Sequence, residues 1–295
     1  MSNKSKIKKR SRKQRIGAAL FLSPSIIGVF LFFVLPFFVV IFYSFIDNPI
    51  NAEFVGIDNY VRVFKNDAFR TAGKNTLMFS MIAMPLSVVL SLLLAVMLDR
   101  DIPLRSQFRT AFLTPMMVPI ASIVLIVQVM FHYNGSVNTI LGRFDISKID
   151  WLKSEYGQLV IVLLFLWKNL GYNMILFLSA IEAIPKDIIE VATLESASEW
   201  KIFWKIKIRY LSPTILFVTI LSLINSFKVF REIYLLTGDY PYDSLYMLQT
   251  FMNNTFRSLD YQKLSTAAII MSFVMIIIIG ALFLIENHFG KDVEE

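Results

Sequence analysis

Six apolar blocks dominate this chain, near residues 17–45, 76–98, 111–131, 157–181, 213–236 and 264–286. Most span roughly 20 residues or more, which a helix rising about 1.5 Å per residue needs to cross about 30 Å of hydrocarbon. Lipid offers no water to backbone N–H and C=O groups, so such blocks are confined to helices that bond internally. The expectation is an all-α polytopic membrane protein with six transmembrane helices. Composition agrees, with 56% of the 295 residues hydrophobic and 17% charged. Soluble domains run at roughly 45–50% and 25%.

Charge distribution sets the expected orientation. Eight Lys and Arg residues and no acid fall between Lys4 and Arg15. A nucleic-acid arm is one reading of such a run; an apolar block follows directly, which favours a positive-inside anchor drawn to anionic lipid. With the N-terminus inside, segments 1–16, 99–110, 182–212 and 287–295 carry seventeen Lys and Arg, against nine in 46–75, 132–156 and 237–263. Both termini are therefore expected in the cytoplasm. The block from Ile16 to Phe45 far exceeds a secretory signal's apolar core of about 7–15 residues and reads as a retained span. The expected organisation is a basic tail (1–16), a membrane domain (17–286) and a short tail (287–295), with no soluble domain.

Several chemistries lack their residues. There is no G-x-x-x-x-G-K-[ST] phosphate loop, no H-E-x-x-H, no G-x-S-x-G and no cysteine. The two histidines, His132 and His288, are expected on opposite sides of the membrane, which argues against a histidine metal site. No carboxylate is expected near the centre of a span. An enzyme is therefore disfavoured, and no metal or cofactor is expected in this chain.

The segment 183–212 differs from the other connections. Pro185 suits the first turn of a helix, with Asp187 near the positive end of its dipole. Ser196-Ala197-Ser198 interrupts the helical spacing, and Ser198 suits the N-cap of a second helix opening at Glu199. Two short amphipathic helices across one end of the bundle are expected, a pattern shared with ordinary interfacial helix pairs.

This stretch resembles the loop that defines permease subunits of binding-protein-dependent ABC importers. There Glu-Ala-Ala is followed three residues later by Gly, and further on by Ile-x-Leu-Pro. The match here is Glu190-Val191-Ala192, then Ser196-Ala197, then Ile206-Lys207-Ile208-Arg209, with Pro213 beyond. Val191 replaces the first Ala, Ser196 the turn Gly and Arg209 the Pro. Ser resists the positive φ that Gly adopts freely, so a tighter or differently shaped turn is expected.

The resemblance extends along most of the chain. Leu22-Ser23-Pro24, Phe54-Val55-Gly56-Ile57-Asp58-Asn59-Tyr60, Asn75-Thr76 and Trp167-Lys168-Asn169-Leu170-Gly171-Tyr172-Asn173-Met174 are similar to the carbohydrate branch of that family. So is Phe230-Arg231-Glu232-Ile233-Tyr234, beside that branch's Phe-Asp-x-Ile-Tyr. The resemblance implies a permease for an oligosaccharide or glycerol-phosphate compound in a bacterial inner membrane. It also implies a second homologous permease, two ATP-binding subunits that hold ATP and Mg, and an extracellular solute-binding protein. The loop 183–212 would be a coupling helix seated in a groove of the ATPase, with Glu190, Ala192, Glu195, Ser196 and Ala197 at the contact.

Polar residues inside spans are the candidate pathway. A cation at a bilayer centre costs about 2.5–3.5 kcal/mol on insertion scales, so one that stays should face protein or water. Lys168, Asn169 and Asn173 on the fourth span, with Asn225 and Lys228 on the fifth, are candidates for sugar hydroxyls. Trp167, Tyr172 and Phe227 are candidates for stacking on sugar faces. Purely structural roles compete: amides and lysine bridging helices, Arg231 snorkelling, and Lys228 pairing with Glu232 at i, i+4. A self-contained secondary transporter or channel is the alternative function. It would favour an acid buried mid-span, and none is evident in the sequence.

Overall fold

The computed structural model describes residues 17–100 and 102–289, with side chains as far as Asn287. The basic tail 1–16, the His288 side chain and the end of the C-terminal tail lie outside the described residues. The chain divides into two compact units.

The first unit comprises 17–63 and 258–272. Helix α1 (Gly17–Ser44) is 28 residues long and no part of its most apolar stretch is buried by protein. Phe21 and Phe32 are 91% and 77% exposed, as suits a lipid-facing helix. A π-helical turn at Phe30–Val34 precedes Pro36, whose missing N–H and bulky ring do not fit a regular α ladder. After α1 the chain closes a single antiparallel bridge between Ile46 and Phe54. The amide of Asn59, on α2 (Asp58–Lys65), donates to the carbonyls of Ser44 and Ile46 at 3.1 and 2.8 Å, and Tyr60 and Ser44 share a 2.8 Å hydrogen bond.

The second unit comprises 64–257 and 273–289. Helix α3 (Asp67–Asp99) starts on Asn66, whose side chain accepts from the Phe69 N–H. One face of α3 presents Ser80, Ala83, Ser87, Ser91 and Ala95, all buried. Small residues at this spacing let backbones approach closely where lipid gives no hydrophobic drive between helices. Against α3 pack α7 (Gly157–Glu182) and α10 (Ile208–Phe227).

The expected third span is two helices, α4 (Arg105–Met117) and α5 (Ile120–Met130), bent by 96°. Pro119 causes the bend: it cannot donate to a helix, and it holds Val118 in an extended conformation (ψ 132°). Among the described residues, five helices are thus long and apolar enough to cross a membrane, or six counting the bent pair. The short α6 (Ser136–Gly142) follows α5.

The expected pair of separate helices in 183–212 needs correcting. The first is α8 (Lys186–Leu194). The second, α9 (Glu199–Ile202), is capped by Ser198 as expected but does not end; it passes through a π-helical turn (Phe203–Lys207) directly into α10. No residue between 199 and 208 interrupts helical geometry, and Pro213 falls within α10 without stopping it. The expected fifth span breaks instead at Lys228 and Val229, after which α11 (Phe230–Thr237) begins. Helices α12 (Leu248–Arg257) and α13 (Tyr261–Phe289) are the last helices of the described residues, the latter with residues in both units.

Two apolar clusters stack along the second unit. One contains Phe79, Ile161, Phe165 and Ile233, the other Ala95, Met174, Phe177 and Leu211. A polar layer separates them in sequence on each helix: the Asn173 amide donates to Ser87 at 2.9 Å and to Ser222 at 3.0 Å, tying α7 to α3 and α10.

Candidate functional site

A cavity of about 390 Å³ opens where the α4–α5 bend meets α7 and the α10–α11 break. Both discontinuities serve it. The bend brings Pro115, Met116 and Val118 to one wall, and the break turns Lys228 and Val229 to another. Helix α7 contributes Phe165, Lys168, Asn169 and Tyr172, at the i, i+3, i+4 and i+7 spacing of one helix face. Helix α11 contributes Arg231 and Glu232.

Gly171 sets how near α4 comes to α7. A Cβ at this position would lie 1.8 Å from the Phe112 carbonyl oxygen, so only glycine permits the approach. That contact holds Pro115 and Met116, one turn further along α4, over the cavity.

The electrostatic centre of the cavity is an ion pair. Lys168 Nζ lies 2.5 Å from Glu232 Oε1, and the Glu232 side chain is 7% exposed while that of Lys168 is 42% exposed. Glu232 Oε2 is buried and has no hydrogen-bond partner among the described residues. Next to the pair, the Asn225 amide donates to Asn169 Oδ1 at 3.1 Å, and Asn169 donates to the Phe165 carbonyl at 2.8 Å.

The loop after α7 closes with defined geometry. Ala197 N–H donates to the Ala192 carbonyl and Ser196 N–H to that of Thr193, at 3.0 and 2.9 Å. This is the Schellman pattern, and Ser196 takes its left-handed residue with φ 59°. The expected reshaping of the turn is therefore corrected: Ser196 adopts the conformation that Gly would, at a cost in backbone strain. Glu190 and Glu195 are exposed, Ala192 and Ala197 half-buried, and Leu194 is 85% exposed. Ion pairs brace the base of the loop, with Arg105 and Arg109 on Glu182, Lys207 on Asp99 and Arg100 on Glu199.

Residues 87–295 match the family described as binding-protein-dependent transport system inner membrane component. The chain belongs to that family. Two relatives align with this transport component almost end to end. The sulfoquinovosyl glycerol transport system permease protein of Agrobacterium fabrum is 28% identical over 277 residues, covering 92% of this chain and 90% of the relative. The trehalose/maltose transport system permease protein of Thermococcus litoralis is 28% identical, covering 99% of this chain and 100% of the relative. Among solved structures, a chain of a bacterial ABC transporter involved in import of the acidic polysaccharide alginate superposes with a TM-score of 0.81. It is 22% identical, and the match covers 98% of this chain and 100% of the other, a likeness of fold.

The structure sorts the sequence candidates of this family member. Lys168, Asn169, Tyr172, Asn225 and Lys228 line one cavity. Trp167 does not join them; it lines a separate apolar pocket with Met130 and Leu163, because adjacent residues on a helix point about 100° apart. Asn173 is 1% exposed and committed to the two serines, and Phe227 is 4% exposed outside the cavity lining. Lys228 does not pair with Glu232; Lys168 does. Glu232, expected beside Lys228 toward the end of the fifth span, is 5% exposed. Its pairing partner lies on another helix, which local spacing does not reveal.

Proposed function

We propose that this chain is the permease subunit of an ATP-driven importer for a carbohydrate, most simply an oligosaccharide or a glycoside of glycerol. It forms the pathway together with a second homologous permease, in a bacterial inner membrane with both termini in the cytoplasm. Two ATP-binding subunits bind and hydrolyse ATP with Mg, and an extracellular solute-binding protein delivers the sugar. One observation carries the reading: a polar cavity, centred on Lys168 and Glu232, sits between apolar helices of a chain belonging to this transport family. Lys168, Asn169, Tyr172, Asn225 and Lys228 supply donors, acceptors and one aromatic face for a polyhydroxylated substrate. The relatives' sugar and glycoside systems support the substrate class.

The loop 183–212 is the coupling element. Glu190, Ala192, Glu195, Ser196 and Ala197 present a short rigid helix and a closed turn to a groove on the ATP-binding subunit. Movement of that groove on ATP binding reaches the cavity directly, since α9 continues through a π-helical turn into α10, which carries Asn225.

The test is reconstitution. Co-expressed with its neighbouring-gene partners, the chain should co-purify with a second permease and an ATPase, and hydrolysis in liposomes should rise when sugar-loaded binding protein is added. Failure to associate with any ATP-binding subunit overturns the reading. Buried Glu232 favours a second reading, a secondary transporter that couples to ions through this acid. It predicts sugar flux in liposomes containing this chain alone, without ATP.

A further inference from the structure

Four charged side chains line the cavity: Lys168, Lys228, Arg231 and Glu232. Lys168 and Glu232 neutralise each other at 2.5 Å. Lys228 and Arg231 are left over. Both are exposed within the chain, and among the described residues neither makes an ion pair. Glu232 is the sole acid among the residues that line the cavity. The cavity wall therefore carries a surplus of two positive charges.

Cations without partners are retained in a membrane-spanning region only where they face water, protein or ligand. A cleft of one sign with low-dielectric walls focuses that charge on its contents. Guanidinium offers a planar fork that matches a carboxylate, sulfate or phosphate, and ammonium adds a point charge beside it.

We infer that the substrate is an anionic saccharide, whose carboxylate, sulfate or phosphate is bound by Lys228 and Arg231 while Asn169, Tyr172 and Asn225 take its hydroxyls. This rests on the carbohydrate-importer reading. It makes Arg231 a specificity residue rather than a snorkelling surface cation. The Lys168–Glu232 pair holds the neighbouring wall neutral, so the oxyanion is directed to the Lys228 side.

The experiment uses the full importer with its own binding protein in proteoliposomes. Uptake is measured for an oligouronate, a sugar sulfate and a sugar phosphate, each beside its neutral counterpart. At least one acid should be carried with a KM about tenfold or more below that of its counterpart, the value of one charge-assisted bond. Lys228→Gln with Arg231→Gln should raise the KM for that acid by about tenfold or more and that of the neutral sugar far less. Lys228→Arg and Arg231→Lys, which keep the charge, should retain most of the preference and control for folding. Because the binding protein is unaltered, any change belongs to the permease. Neutral sugars carried as well as the acids overturn the inference. So does an equal loss for both by the double variant, the result expected if these cations pair with acids of the second permease. Either outcome leaves the importer reading standing wherever ATPase activity still responds to a loaded binding protein.

Discussion

Lys168 on α7 and Glu232 on α11, 64 residues apart in sequence, form a 2.5 Å ion pair that closes one wall of the cavity. The two ends are unequal: Glu232 is buried and Lys168 is not. Removing one partner of a buried pair strands the other's charge, whereas removing both does not. Lys168→Met should therefore destabilise the protein by about 2 kcal/mol, reduced from the usual buried-pair cost because Lys168 is 42% exposed. Glu232→Leu added to Lys168→Met should restore part of that loss. Thermal unfolding of the purified complex in detergent reads both variants, and equal Tm values for single and double variants would refute the asymmetry.

Gly171 offers a sharper steric test. Its missing Cβ leaves room for the Phe112 carbonyl, 1.8 Å from where that atom would stand. A backbone oxygen cannot swing aside, so Gly171→Ala must push α4 from α7. A loss of about 2 kcal/mol is expected from overpacking, with reduced transport because Pro115 and Met116 move with α4. Gly73, inside α3 with open space where a Cβ would be added, is the control, and Gly73→Ala should raise stability by about 0.5–1 kcal/mol, the helix-propensity gain of Ala over Gly.

At the coupling loop the strained residue is Ser196, φ 59°. Ser196→Gly should relieve about 1 kcal/mol of left-handed strain without altering the turn. Hydrogen exchange at the Ala197 amide, which bonds to the Ala192 carbonyl, should slow accordingly. Ser196→Val should do the reverse and weaken association with the ATP-binding subunit.

Glu190 tests the same loop through charge. It is exposed on α8, so Glu190→Lys should leave folding and Tm unchanged. Coupled uptake should fall, with ATPase activity losing its response to loaded binding protein. Intact uptake and intact association would remove this residue from the docking surface.

Long-period features were legible in the sequence and pair contacts were not. The apolar blocks announced spanning helices because backbone hydrogen bonding in lipid leaves no other option. Ser198 announced its own cap, since the signal and the bond lie three residues apart. The bend between α4 and α5 was written in Pro119, yet hydropathy averages across it and reports one span. Lys168 and Lys228 stood out as cations in apolar blocks, but the partner of Lys168 depends on how α11 turns after the break at Lys228 and Val229. Trp167 and Phe227 were grouped with their neighbours in sequence, and helical geometry sends them elsewhere.

Asn173 and Asn225 separate framework from pathway most directly. Both are amides in spans, but Asn173 is 1% exposed and spends its N–H groups on Ser87 and Ser222, binding three helices together. Asn225 is exposed to the cavity and donates one bond to Asn169. Asn173→Ala leaves two buried hydroxyls short of a donor and opens a gap, so about 2 kcal/mol of stability should be lost. The KM of protein that still folds should stay close to that of the parent. Asn225→Ala should show the opposite division, with Tm nearly unchanged and KM raised about tenfold through one lost sugar hydrogen bond. Measuring Tm and uptake kinetics on the same preparations distinguishes the two. If Asn173→Ala altered KM with Tm intact, the polar layer between the apolar clusters would itself belong to the substrate path.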